Sequence, residues 1–123
     1  MAVHDRAAFV AISSRLIVEL DDHLPEVEEL IAHWLDMEKY LRLSAAIDRM
    51  GRYCHAVPQL VGPWADVLIT HTELIHCAWE TAAGQCAVAT DPAVQAALKV
   101  LAEALVRARE AALWVAENKG RAR

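Results

Sequence analysis

The sequence predicts an all-α protein, an antiparallel (up-down-up-down) four-helix bundle with helices at about residues 5–23, 25–56, 63–86 and 91–119. Three observations carry that prediction. Twenty-four of the 123 residues are alanine, against four glycines and four prolines, and alanine loses the least entropy in a helix. Apolar residues recur at near-helical spacing, and no useful length of strand-like alternation occurs. Helix breakers cluster at three places only, and the short connections between them favour antiparallel neighbours. The length suits one domain, 1–123.

Helix 1 is expected to begin at Asp5 as N-cap and to bury the stripe Phe9, Ile12, Leu16, Leu20, with Ser13-Ser14 as a polar interruption. Pro25 is read as the break before helix 2. Proline is favoured in a first turn, and Glu26, Glu28 and Glu29 would then sit where the helix dipole favours anions. The helix 2 stripe runs Val27, Leu30, Trp34, Met37, Leu41, then resumes one residue out of phase as Ile47, Met50, Cys54. Gly51 leaves open whether that helix is continuous. Pro58, Gly62 and Pro63 end it and open helix 3, whose stripe is Trp64, Leu68, His71, Ile75, Ala78, Ala82. Asp91-Pro92 is a capping residue followed by an N1 proline. It opens helix 4, with Val94, Leu98, Leu101, Leu105, Ala108, Ala112 and Val115 inward and Gly120 as its close.

Twelve basic against seventeen acidic residues give a net charge of −5. Nucleic-acid affinity rests largely on Lys and Arg neutralising phosphates, so no nucleic-acid partner is expected. The basic tail Lys119, Arg121, Arg123 is read as complementing the negative end of helix 4. Cys54, Cys77 and Cys86 are odd in number and form no CxxC pair, which points to a reducing compartment. No run approaches the roughly 20 apolar residues needed to span a bilayer. The expectation is therefore a cytoplasmic protein with no membrane partner. The arginine- and alanine-rich composition fits a bacterial source.

Most chemical templates are missing: no phosphate-cradling glycine loop, no G-x-S-x-G elbow, no H-E-x-x-H and no EF-hand loop. Glu73, His76, Cys77 and Glu80 stand at i, i+3, i+4 and i+7, which places four potential ligands on one helix face and would suit zinc or iron. Glu73-x-x-His76 has the spacing of a di-iron carboxylate helix, but the motif occurs once where such sites need it twice. His76-x-x-x-Glu80 is similar to one ligand pair of the hemerythrin-like oxygen carriers. That resemblance covers two residues, and helix 4 has no His or Cys to extend it. His71 falls on an apolar stripe, and level matching across the helix 2–3 turn nominates Asp48, or Ser44, as its buried partner.

The tryptophans carry more information. Trp34 and Trp64 lie on expected core stripes, whereas Trp79 lies beside one and Trp114 shares a face with Arg107, Glu110 and Glu117. Val100, Val106 and Leu113 widen the apolar arc of helix 4. Large apolar groups outside a core are favoured interface anchors. The preferred reading is a non-enzymatic helical interaction module: a homo-oligomeric adaptor, regulator or small chaperone-like protein, a dimer at first guess and open to another protein partner. It uses Trp79, Trp114, Val100, Val106 and Leu113 and needs no cofactor. The alternative is a bundle binding a small molecule, or Zn or Fe through Glu73, His76, Cys77 and Glu80.

Overall fold

The computed structural model of the chain describes residues 3–118, with side chains from residue 6 to residue 117. Four helices, α1 (Val3–Ala32), α2 (Met37–His55), α3 (Val61–Ala83) and α4 (Pro92–Asn118), account for nearly all of them. No strand occurs among the described residues, and the fold is the all-α four-helix bundle that the composition and periodicity predict. Gly120 and the basic tail Lys119, Arg121, Arg123 lie outside the described residues.

The first junction is not where proline placed it. Helix α1 runs straight through Pro25, and it begins at Val3, so Asp5 is inside the helix rather than at its cap. A proline inside a helix costs about 3 kcal/mol through its missing N–H and its clash with the preceding turn. Two facts offset that here. Pro25 and Asp21, whose carbonyl loses its partner, are both exposed, so water can serve the carbonyl. Beyond the proline, Val27, Leu30 and Ile31 continue the buried stripe of Leu16, Leu20 and His23, and each such side chain is worth roughly 1.5–3 kcal/mol.

The real break is the turn at residues 33–36. The His33 ring nitrogen Nδ1 lies 3.1 Å from the Glu29 carbonyl and donates to it, closing α1. Asp36 opens α2, its side chain accepting from the Lys39 N–H at 3.2 Å. The new helix starts in a new phase. Met37 and Leu41, expected in the core, are therefore exposed, and Leu43, Ala46, Met50 and Cys54 face inward instead. The helix is continuous through Gly51. A Cβ there would stand 3.3 Å from Nε1 of the buried Trp64, so glycine lets α2 and α3 approach at this end.

In α3 the core positions are Trp64, Val67, Leu74 and Ala78, one step round from the expected stripe. Leu68 is exposed, and His71 and Ile75 are half-buried. Gly84 and Gln85, the latter with φ of 61°, end the helix. The α4 start is as expected: Asp91 Oδ2 accepts from the N–H groups of Ala93 and Val94, both at 3.1 Å. Its stripe is buried except for the half-buried Leu98.

Cross-helix contacts fit antiparallel neighbours. Moving back along α2 from Gly51 to Tyr40 moves forward along α3 from Trp64 to Trp79. Helix α4 packs closely on both α1 and α3, and α1 packs on α2. The pair α2 and α3 is the loosest of the neighbouring pairs. They touch at the Gly51–Trp64 end and leave a groove beyond it.

Candidate functional site

That groove has a volume of about 420 Å³. Helix α2 contributes Tyr40, Ser44, Ile47 and Asp48; α3 contributes Leu68, His71, Thr72, Ile75, His76 and Trp79. The α3 residues explain the shifted stripe: Leu68, His71 and Ile75, spaced as a helix face, form a wall of the groove rather than the centre of the core. Trp79 stands at the same helix face, 43% exposed. Its ring is held edge-on by Trp34 at 5.3 Å and by Tyr40 at 6.4 Å between centroids, the edge-to-face geometry that aromatic pairs prefer. Trp34, expected in the core, is half-buried and spends its ring on this support.

His71 pairs with a different residue from the one sequence spacing nominated. Its Nδ1 lies 3.3 Å from Nε2 of His23, and the rings are 5.2 Å apart. Asp48 lines the same groove but is exposed, and its solvated carboxylate makes no hydrogen bond to the imidazole. Level matching along the α2–α3 hairpin could not find His23. It lies on α1, the helix across the bundle, in a stretch read from sequence as a helix end.

His23 is 2% exposed, and its Nδ1 has no hydrogen-bond partner. Burial, helped by the neighbouring His71, pushes His23 down to about 3, and burial pushes His71 down to about 4. Both imidazoles are therefore neutral at pH 7, with one proton shared across their contact. Such a pair is a weak base near neutrality. The Cys54 thiol is also disabled as a nucleophile, because burial pushes it up to about 12.

Of the other sequence-predicted site residues, His76 and Trp79 line the groove and the rest lie outside its lining. Glu73, His76 and Glu80 are exposed, and His76 Nε2 pairs with Glu80 at 3.3 Å in solvent. Cys77 turns toward the core and packs against it. Among the described residues no three His, Cys, Asp or Glu side chains are grouped to hold a metal ion. On α4, Val100 is 47%, Val106 56% and Trp114 42% exposed, while Leu113 is half-buried. Helical geometry puts Val106 and Leu113 about 80–140° around the axis from Val100 and Trp114. Glu103 and Glu110 stand between the two pairs, so with Trp79 on α3 the five residues span separate surfaces.

No helix among the described residues is long and apolar enough to cross a membrane. In comparison with known proteins, the chain matches no protein-family model, no curated protein and no solved structure.

Proposed function

We propose that the chain is a non-enzymatic binding bundle whose receptor site is the α2–α3 groove, and that it takes a small, largely apolar ligand. The observation that carries this reading is the groove itself. Among the described residues it lies along the loosest seam between neighbouring helices, and it sets the apolar Ile47, Leu68, Ile75 and Trp79 beside the polar groups of Tyr40, Ser44, Asp48, His71, Thr72 and His76. Its volume falls in the lower part of the range of small-molecule sites, which are mostly apolar and carry a few placed polar groups. The buried pair of His23 and His71 supplies no base near neutrality, and the buried Cys54 thiol supplies no accessible nucleophile.

The test uses the neutral fluorophore 1-N-phenylnaphthylamine and a variant that plugs the groove, Ser44→Trp, at an exposed position of α2. Native protein should bind the dye saturably at one site per chain. The plug should abolish that binding with the helical circular dichroism unchanged. Absence of saturable binding, or binding that survives the plug, overturns the reading.

A second reading, self-association, is favoured by the exposure of Val100, Val106 and Trp114 on α4. Light scattering at micromolar concentration should then give a dimer that Trp114→Asp weakens. A monomer insensitive to that change removes it.

A further inference from the structure

The His23–His71 contact fixes which face of His71 the groove presents. A neutral imidazole has one donor and one acceptor nitrogen, so one ring must donate across the 3.3 Å contact. If His71 donated, His23 would carry its proton on Nδ1, which is buried without a partner. An orphaned buried N–H is rarer than an orphaned acceptor. His23 therefore donates from Nε2, Nδ1 of His71 accepts, and the remaining proton of His71 sits on Nε2, which has no hydrogen-bond partner among the described residues. The groove thus holds a neutral N–H donor among apolar walls, with the Asp48 carboxylate as an acceptor in the same lining.

Those two groups select by charge. A carboxylate ligand would meet the Asp48 carboxylate, while burial holds the His71 imidazole neutral. A ligand with an acceptor oxygen and its own N–H satisfies both. We propose that the groove takes a neutral amide with a flat apolar body, its carbonyl oxygen accepting from Nε2–H of His71 and its N–H facing Asp48. This rests on the groove being the receptor site. The aromatic walls hold the body, and His23, which touches no ligand, acts as a positioning residue that sets the tautomer.

The experiment compares three probes with the same ring system: 2-naphthamide, 2-naphthoate and 2-methylnaphthalene. The amide should bind about tenfold more tightly than the hydrocarbon, the ratio that one net hydrogen bond supplies, and more tightly than the carboxylate. His71→Leu should remove the amide's advantage over 2-methylnaphthalene. In the native protein, nitrogen-15 NMR should show His71 protonated at Nε2 and bare at Nδ1, with the Nε2 signal moving when the amide is added. The NMR measurement decides the tautomer even if the leucine variant does not fold. Naphthoate binding as well as the amide, a proton on Nδ1 of His71, or an equal loss for amide and hydrocarbon in His71→Leu overturns the proposal. If 2-methylnaphthalene binds and the amide gains nothing, the amide inference alone fails. If none of the three binds, the receptor reading fails with it.

Discussion

Lowering the pH from 7 to 5 should destabilise this protein through two side chains. His23 and His71 are held neutral by burial, at about 3 and about 4 against an ordinary value of 6.5. The folded chain refuses protons that the unfolded chain accepts once the pH drops below 6.5. Their contribution is therefore complete above that value and is lost as the pH falls toward the folded values. Between pH 6.5 and 5 the loss is about 2 kcal/mol for each histidine, at 1.36 kcal/mol per pH unit. The total of about 4 kcal/mol is a large share of the 5–15 kcal/mol typical of a domain. The Glu19 carboxylate leaves this window clear. Arg49 grips Glu19 through two 2.8 Å hydrogen bonds and holds its carboxyl below 4.5, so its contribution fades only at lower pH. Asp22 and Glu26 line the cleft on the other side of His23 with Arg42 and Arg49, a mixed set that gives a protonated His23 little net help. Urea unfolding at pH 7, 6 and 5 measures the effect. The midpoint should fall at each step, and it should fall less in His23→Leu. A midpoint constant from pH 7 to 5 in the native protein would refute the buried neutral pair.

Two further outcomes test the helices that frame the groove. Pro25→Ala should raise stability by about 1–2 kcal/mol, because the restored N–H completes a bond to Asp21 while the unfolded chain regains some entropy; a lower melting temperature would show that α1 breaks at the proline. Gly51→Val should cost about 1–3 kcal/mol, since even a bare Cβ would press on the buried Trp64 indole and the branches add to it. An unchanged melting temperature would mean that α2 and α3 do not meet there.

How much of this was legible in the sequence depends on what each signal measures. Helical periodicity located α4 well because Asp91-Pro92 and an unbroken stripe agree with one another. The α1–α2 junction was misread because proline was weighed as local grammar, while Val27, Leu30 and Ile31 outweighed it through tertiary burial. The better signal was also present. The stripe from Val27 to Leu41 does not continue in phase into Ile47, Met50 and Cys54, and a phase slip marks a turn, with Asp36 ready as the next cap. On α3, spacing could find an apolar face but could not say that a second face, Val67 and Leu74, held the core while the first lined a groove. His71 and Trp79 were singled out by their types. His23 was not, because only the assembled bundle sets α1 beside α3 at that level.

The groove has a cause in these same residues. On α4 the inward positions include Ala104, Ala108 and Ala112, whose small side chains let α1 and α3 settle closely against it. The seam between α2 and α3 has no such choice. Gly51 permits contact with Trp64 at one end, but further along the facing positions are Tyr40 and Trp79, too large to interlock as alanines do. Between these ends lie Ser44, Asp48, His71 and Thr72. Closing the seam would take the Asp48 carboxylate and the other polar groups out of water without enough partners, at a cost of several kcal/mol for the carboxylate alone and about 1–3 kcal/mol for each further unpaired group. Burying Ile47, Leu68 and Ile75 more fully would return only about 1–2 kcal/mol each, because two of them are already half-buried. The open seam is the lower-energy arrangement for this set of side chains. A ligand that brings its own apolar body and its own hydrogen-bonding groups is what would let those apolar walls be covered without stranding the polar ones.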